Sequence, residues 1–419
     1  MGGYVRQGKR LFIVALALCA FAGSAFAQNG LRDRERAFSA SQEIASDLRK
    51  AHFHHGPFYL LSTFQLSDIG YDSSFYVPTA DRQSGFRFGI QGPTRLYFVP
   101  SKKTIYSVDV RPELSFFNRN GKSTVFGYHA RADAQYLLNH LYVDVYAENA
   151  DQLRADVAEI ARLLSERDTN FGLSGELKYS SRTSVTFNAA SLKTSYPLDK
   201  IQPTLPVDLL DRRGHNYRIA VNHKTFPLTS LFVTGEASDY VFSNATYKDS
   251  RRSFFGAGFV HDSGRTVTRV EGGAGSLTFS EPGQHDFQGA LGNITSTKKF
   301  GNSTTGSLNA SRDLDFSLFT NNNYYVADRV SARVAWDATR RLTLNVQYAL
   351  GRDLYDVPVN GPHGFLKRRD VFSFPSIGFT YAFARLLGGL DIGYVNRTSN
   401  FDLNVDKGIR VLFRLSFTP

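Results

Sequence analysis

Two stretches in the first third of the chain each carry three ionisable side chains at alternate positions. The alternate positions are Ser107, Asp109, Arg111, Glu113 and Ser115 in one stretch, and Gly127, His129, Arg131, Asp133 and Gln135 in the other. Carboxylates and guanidinium groups at this spacing share one face of a strand, where they can form ion pairs with neighbouring strands. An imidazole beside a carboxylate could also act as a general base.

Acid–base catalysis by these groups has little support in the sequence. His129 and Asp133 point the same way, but a strand rise of about 3.3 Å per residue puts them roughly 13 Å apart. His129 could instead oppose Glu148 across a hairpin, which would orient the imidazole. The chain contains no HExxH, GxSxG or phosphate-binding-loop motif. We therefore predict that the protein is not an enzyme and holds no cofactor.

The elements that carry these groups are long strands with one apolar face. Between the polar positions of the first stretch lie Tyr106, Val108, Val110, Leu114 and Phe116. Such alternation is typical of a half-buried soluble sheet or of a transmembrane barrel with lipid outside and water inside. Our segments run 11 to 16 residues, whereas soluble strands usually have about 5 to 6. Length and the aromatic segment ends therefore favour an all-β transmembrane antiparallel β-barrel.

The connections between the predicted strands indicate the topology. About eighteen strands fit residues 56–418, with sixteen as the alternative because hairpins 122–148 and 284–313 have the weakest patterns. Connections after even-numbered strands are short, and all long ones follow odd-numbered strands. Short periplasmic turns and long outer loops are typical of bacterial barrels. This arrangement places both termini in the periplasm and the barrel in the outer membrane of a Gram-negative-type bacterium.

The N-terminal part of the chain is predicted to lie outside the barrel. Residues 1–27 have a basic start, an apolar run and an Ala-Phe-Ala end, as expected of a signal peptide. Lipidation at Cys19 is disfavoured because Leu18 is too large for such a site. Residues 28–55 would form a periplasmic segment with a short helix, and residues 56–419 the barrel. The three histidines among residues 52–55 suit a polar collar better than a metal site.

Charge and cysteine content argue against a nucleic-acid-binding protein and against a disulfide-bonded one. The formal net charge is +11, and it falls to 11 − 3 = +8 without the three basic residues of the predicted signal. The basic residues are scattered among acids, so we predict no nucleic-acid partner. Cys19 is the only cysteine, so no disulfide is expected.

A second aperiodic segment lies in the third predicted outer loop. Leu153, Val157, Ile160 and Leu164 recur at helical spacing, and Asp151 could cap the helix. A helix over residues 151–166 could fold into the lumen as a constriction or cover the mouth, and a plain surface loop is the alternative.

The inward face is the candidate functional surface. Its charges could form ion pairs that keep the barrel rigid, or line an asymmetric charged pore that guides solute. In such a pore the acids of strands three to five would form an arc that faces a basic arc from strands fourteen and eighteen. The predicted pore-lining residues are Asp109, Arg111, Glu113, His129, Arg131, Asp133, Asp144, Arg329, Arg333, Arg410 and Arg414.

The final residues have the same two-faced pattern. Ile409, Val411, Phe413, Leu415 and Phe417 alternate with residues that include two arginines. This ending resembles the C-terminal signal of bacterial outer-membrane barrels, although Thr418 and Pro419 follow the aromatic. The resemblance implies the barrel assembly machinery as a partner, besides the lipid of the outer membrane.

Three further stretches resemble one family. Residues 66–117 contain Asp72-Ser73-Ser74 where the family has a "YDSN"-like stretch; residues 157–187 and 393–402 also fit it. The chain therefore resembles the outer-membrane β-barrel porins associated with exopolysaccharide operons. The resemblance implies a porin that conducts or exports a secreted polysaccharide or hydrophilic solutes, with export partners in the periplasm. A sealed structural or adhesive barrel is the alternative, and a barrel hydrolase the third.

Overall fold

The computed structural model describes residue 44 and residues 46–73, 85–118, 123–154, 164–197, 206–319, 321–361, 364–400 and 406–418. Within these residues the chain forms a closed, antiparallel, 18-stranded β-barrel, as the sequence predicted. The predicted signal peptide lies outside the described residues. No described helix is long and apolar enough to cross a membrane.

The barrel strands are numbered in chain order. The first two are each interrupted once: β1 consists of Phe58–Ser62 and Phe64–Asp72, and β2 of Gly85–Gln91 and Thr94–Ser101. The others are β3 Thr104–Asn118, β4 Ser123–Leu137, β5 Leu141–Arg154, β6 Leu164–Lys178, β7 Thr183–Ser195, β8 Arg212–Phe226, β9 Thr229–Phe242, β10 Ser250–Asp262, β11 Thr266–Phe279, β12 Phe287–Phe300, β13 Thr304–Phe316, β14 Tyr324–Asp337, β15 Leu342–Gly361, β16 Gly364–Phe383, β17 Leu386–Ser399 and β18 Asp406–Phe417.

Three shorter elements accompany the wall. Residues 46–50 are helical, as predicted for the segment before the barrel. Phe53–His55 forms an edge strand that pairs with the first piece of β1. Val207–Leu210 and Thr246–Lys248 are single 3₁₀ turns in the outer loops.

The last strand closes the barrel on the first. β18 pairs antiparallel with β1, with Val411 opposite Tyr71 and Leu415 opposite Leu66. Each barrel strand thus has a neighbour on both sides, so the wall leaves no open edge in the bilayer. The hairpins β4–β5 and β12–β13 are both paired. The sixteen-strand alternative is therefore wrong.

The outward face of the wall is apolar and exposed. Val334, Val346 and Ile377 lie opposite one another on β14, β15 and β16, and 49%, 56% and 56% of their surfaces are exposed. Such a belt is unfavourable in water and favourable in hydrocarbon. Trp336 and Tyr381 mark its lower border, as in the aromatic girdles of membrane barrels. The protein is an outer-membrane barrel.

The alternation of faces agrees with the sequence prediction in detail. Ala130 lies opposite the exposed Val110, and Leu344 opposite the exposed Trp336, so both face outward. Gln135 and Asn345, on the same strands, point inward and are 6% and 5% exposed.

The two ends of the barrel differ in the length of their connections. Residues 227–228 join β8 to β9, and residues 102–103 join β2 to β3. At the opposite end, residues 196–211 join β7 to β8 and residues 317–323 join β13 to β14. Because short turns are periplasmic in bacterial barrels, the long connections form the outer mouth.

The prediction of a helix over residues 151–166 is wrong for the described residues at both ends of that segment. Asp151 belongs to β5 and does not cap a helix; it pairs with Arg167 of β6, with 2.8 Å between Oδ2 and the guanidinium. Leu153 and Leu164 likewise lie in strands. Backbone pairing between two neighbouring strands outweighed the local helical spacing. Residues 155–163 lie outside the described residues.

Candidate functional site

The inner face of the barrel carries a network of ion pairs. Asp109 on β3 accepts hydrogen bonds from Arg95 on β2 and from Arg111 on its own strand, with closest distances of 2.7 Å to each. Arg131 on β4 contacts Asp133 at 2.7 Å, Asp144 at 3.6 Å and Glu148 at 3.1 Å. These groups lie on one face because alternate residues of each strand point inward.

The predicted pairing of His129 with Glu148 is present in the structure. His129 Nε2 lies 2.8 Å from Glu148 Oε1. The other carboxylate oxygen of Glu148 accepts a hydrogen bond from Arg131. A carboxylate shared between an imidazole and a guanidinium is suited to holding two strands in register, and less to activating a nucleophile.

The predicted basic residues are also paired within the wall. Arg329 contacts Asp353 at 2.5 Å, Arg410 contacts Asp72 at 2.8 Å and Arg414 contacts Asp391 at 3.5 Å. Arg333 interacts electrostatically with Asp391. Glu113 accepts a hydrogen bond from Ser115 at 2.9 Å.

The charges therefore do not form two separate arcs. The sequence suggested an acidic arc in β3–β5 opposite a basic arc in β14 and β18. The structure corrects this, because most of these charges have an oppositely charged partner on their own or a neighbouring strand. Glu113, which accepts a hydrogen bond from Ser115, and Arg333, which interacts with Asp391 three strands away, are the exceptions. The field across the lumen is correspondingly weaker than two opposed arcs would produce.

One hairpin leaves the wall and enters the outer mouth. The ladder between β12 and β13 ends at Gly292 and Arg312. The ladder between β13 and β14 continues above that row to Phe316 and Tyr324. We call residues 313–326 the mouth hairpin; all but residue 320 are described. Its separation from β12 frees it to tilt inward.

Apolar contacts carry the mouth hairpin across the lumen. Phe316 packs edge-on against Phe242 of β9, with ring centroids 4.8 Å apart. Leu318 lies in a buried cluster with Tyr196, Val207 and Leu210 of the β7–β8 connection. That connection is 13 − 7 = 6 strands away along an 18-stranded wall. Segments a third of the circumference apart touch only because they extend over the opening.

Polar contacts fix the tip of the mouth hairpin. Lys248 is 0% exposed, and its Nζ donates a hydrogen bond to the carbonyl oxygen of Ser317. Asn322 exchanges hydrogen bonds of 3.0 and 2.8 Å with the backbone of Val357 on β15. Asn323 donates to Gln284 Oε1 at 2.7 Å. A buried lysine is unfavourable without a hydrogen-bond partner, so the contact with Ser317 stabilises the mouth hairpin in its closed position.

On the β16 side of the mouth, an aromatic ring of the mouth hairpin stacks on an arginine. Phe319 at the tip lies under the guanidinium of Arg368 on β16, at 4.5 Å from its ring centroid. Arg368 is held by Asp370 at 2.7 Å, which also binds Arg397 at 3.0 Å. The tip of the mouth hairpin is thus anchored on both sides of the barrel.

Below the mouth hairpin, part of the lumen is accessible to water. Asn309 on β13 points inward at mid-height and is exposed. Thr297 on β12 and Lys224 on β8 also point inward and are exposed. Inward side chains near the outer mouth, including Tyr325 and Tyr355, are buried. The mouth hairpin and these tyrosines therefore narrow the outer end of the lumen.

A short helix covers one side of the inner mouth. Ile44 packs with Tyr97 of β2 and Ile105 of β3 in a buried cluster. Asp47 accepts hydrogen bonds from Arg95 at 2.5 Å and from the Tyr97 hydroxyl at 2.8 Å. These partners belong to β2 and β3, whereas the wall opposite is water-accessible.

Replacing Asp47 with alanine is expected to loosen this helix. The substitution removes two hydrogen bonds, one to a charged donor, at a cost of about 1.5–3 kcal/mol in docking. Hydrogen exchange at the amides of residues 46–50 should accelerate accordingly. The control is Asp239→Ala, which removes an exposed contact with His215 on the outward face of the barrel. Unchanged exchange in the Asp47 variant would mean that apolar packing alone holds the helix.

Two titratable groups outside the wall have shifted pKa values. Burial raises the pKa of Asp211, although a hydrogen bond of 2.6 Å from the Tyr196 N–H opposes the shift. Burial lowers the pKa of His52, and the positive charge of Arg385 adds to the effect. His52 Nδ1 accepts a hydrogen bond from the Ser62 N–H, and His54 bonds the carbonyl of Gly56. Among the described residues no three metal-ligating side chains converge.

The sequence prediction missed the mouth hairpin. Leu314, Phe316, Leu318 and Phe319 are apolar residues in a connection that was expected to be an outer loop. Apolar residues at a predicted loop tip were the available signal, because a solvent-exposed loop has no need of them.

Comparison with known proteins gives no close relative. No protein-family model matches the chain, and no curated protein matches it in sequence. The outer membrane protein opdK from Pseudomonas aeruginosa is similar in structure, with 11% identity, 86% of this chain and 98% of that chain covered, and a TM-score of 0.47. Acinetobacter baumannii OccAB3 has 11% identity, coverage of 86% and 99%, and a TM-score of 0.48. A BenF-like porin from Pseudomonas fluorescens Pf-5 has 10% identity, coverage of 86% and 99%, and a TM-score of 0.49. At identities and TM-scores this low, the similarities do not bear on the function of this chain.

Proposed function

We propose that the protein is an outer-membrane channel for hydrophilic solutes, constricted by the mouth hairpin. The observation that carries this proposal is the combination of a partly water-accessible, charged lumen with a well-anchored segment across its outer end. A barrel built only as a scaffold would gain more from an apolar filling than from paired charges, whose desolvation is costly. A channel for polar solutes requires a polar wall.

The pore-lining role of the inward charges can be tested through ion selectivity. Arg410 and Arg414 are each paired with an acid, Asp72 and Asp391. Replacing both arginines with serine removes these two ion pairs and lowers the lumenal charge by two. We expect single channels in a planar bilayer to shift toward cation selectivity, measured as the reversal potential across a salt gradient.

A matched control separates lumenal charge from net charge. Arg213 and Arg251 lie at the outer ends of β8 and β10 on the outward face and are exposed. Replacing both with serine changes the net charge equally, and the reversal potential should stay unchanged. An equal shift in both variants, or none in the lumenal one, contradicts a pore through this lumen.

A sealed structural barrel is the second candidate, and the dense packing around Leu318 favours it. The two candidates differ in conductance. A sealed barrel is silent in a bilayer while folded, whereas the proposed channel shows discrete steps that depend on the mouth hairpin.

Export of a secreted polysaccharide is the narrower form of the proposal. Its support is the resemblance of residues 66–117, 157–187 and 393–402 to porins associated with exopolysaccharide operons. A polymer in transit would occupy the lumen and need partners in the periplasm. Block of single-channel current by added oligosaccharide, absent with monosaccharide, is the expected result for a polymer conduit. Equal effects of both would favour the general channel.

A further inference from the structure

The outer surface of the barrel has a concavity beside the mouth hairpin. The β12–β13 ladder ends at Arg312, whereas the β11–β12 ladder continues to Phe287. Because β13 and β14 tilt inward above that row, the outward face of the wall is indented there. The outer notch, as we call it, is a cavity lined by residues of β11 to β16.

The outer notch is apolar below and basic above. Its lower part includes Ala310, Val330 and Leu350, which belong to the outward face of β13, β14 and β15. Its upper part includes three arginines and one acid: Arg312, Arg352, Arg369 and Asp328. Arg329 and Glu271 also line the cavity and their charges cancel, so the local charge is (3 − 1) + (1 − 1) = +2 on the outside of a membrane protein.

The arginines keep donors available in this arrangement. Arg312 and Arg352 both bind Asp328, at 3.2 and 2.5 Å, and their side chains remain 43% and 41% exposed. Arg369 is exposed and forms no side-chain ion pair with any residue that the structure describes. One carboxylate shared by two guanidinium groups leaves N–H donors of both unused.

The arginines lie at the height of lipid headgroups. Trp336 at the inner border and Asp328 are 336 − 328 = 8 residues apart on β14. A rise of about 3.3 Å per residue and a tilt of about 40° give roughly 20 Å along the membrane normal. The apolar band of such barrels is about 25 Å tall. Asp328 therefore lies about 5 Å below the outer border of the hydrocarbon, and the long arginine side chains beside it can reach that border.

We propose that the outer notch binds a phosphorylated lipid of the outer leaflet. Guanidinium groups at this height match lipid phosphates, which they bind through paired N–H donors. The acyl chain lies on Val330 and Leu350, whose exposed surfaces continue the lipid-facing belt. Free phosphate would use the arginines but leave the apolar lower part uncovered, so the ligand is the lipid.

Lipid binding is measured on the full chain refolded in detergent, with native mass spectrometry counting bound diphosphorylated lipid A. Changing Arg312, Arg352 and Arg369 to serine together should weaken binding by about tenfold or more. The corresponding lysine variant keeps the charge but loses the paired donors, so its affinity should lie between those of the native and serine variants. The control is Arg213→Ser with Arg251→Ser, which removes outward arginines away from the notch and should leave binding unchanged.

Three results overturn the proposal: unchanged lipid binding in the serine variant, equal binding of dephosphorylated lipid A to the native barrel, or displacement of the lipid by millimolar inorganic phosphate. Where the triple variant does not fold, Arg369→Ser alone serves, because it breaks no ion pair among the described residues. It should weaken lipid binding about threefold. None of these results depends on conductance.

Discussion

Excision of the mouth hairpin is expected to raise the single-channel conductance of the reconstituted barrel several-fold. Arg312 and Asp328 are directly paired on β13 and β14, so an Asn-Gly turn can join them in place of residues 313–327. The lower ladder, from Ala310–Val330 downward, is unaffected. Because the lumen below is water-accessible, removal of the outer constriction should leave the wall itself to limit the current.

A disulfide tests the same idea without deletion. Leu318 and Leu210 lie in one buried cluster, and Cys19 is the only natural cysteine, within the predicted signal peptide. The pair Leu318→Cys with Leu210→Cys should lock the hairpin, so that current rises on reduction. The single variant Leu318→Cys is the control and should not respond to reductant. A folded, excised barrel with native conductance would place the constriction elsewhere.

The wall of the barrel could be predicted because each strand repeats one simple pattern. Alternation between apolar and polar residues fixes which face meets lipid, and a slip of one residue would reverse every side chain. The alternation in Thr104–Asn118 therefore determined strand, face and approximate ends together. In Leu342–Gly361 it determined the strand and its faces but not its outer end, because the register shifts between Leu354 and Pro358. Strand number followed from counting such segments between turns.

The outer mouth could not be predicted in the same way. The position of Leu318 depends on Tyr196 and Leu210, which are more than a hundred residues away in sequence. Nothing in the sequence distinguishes Lys248 from a surface lysine, yet it is buried against the backbone of Ser317. Loop packing of this kind depends on which strand ends happen to face each other across the lumen, and periodicity carries no such information.

Charge pairing was predictable only between adjacent strands. The contact between His129 and Glu148 follows from the length of one hairpin. The pair Arg218–Glu271, by contrast, joins β8 to β11 at 2.7 Å and reaches past two intervening strands. Barrel curvature and side-chain length determine such pairs, and neither can be derived from the spacing of residues along one strand.

Arginine at Leu308 is expected to impair insertion far more than arginine at Asn309. The two residues are neighbours on β13, roughly midway between Thr304 at the inner end and Arg312 at the outer border. Leu308 faces lipid and is 43% exposed, whereas Asn309 faces the water-accessible lumen. A guanidinium at the lipid-facing midplane costs about 2–4 kcal/mol, because it must be desolvated or drawn to the interface.

Urea-dependent folding into lipid vesicles, read as heat-modifiable mobility, measures this difference. The Leu308→Arg midpoint should fall well below the native one, and Asn309→Arg should stay close to it. Ala332→Arg is a second outward variant, since Ala332 lies opposite Leu308 on β14. Equal losses for Leu308 and Asn309 would mean that the lumen at this depth is as dry as the lipid face. The proposed channel would then lose its basis, because a dry lumen cannot pass hydrophilic solutes.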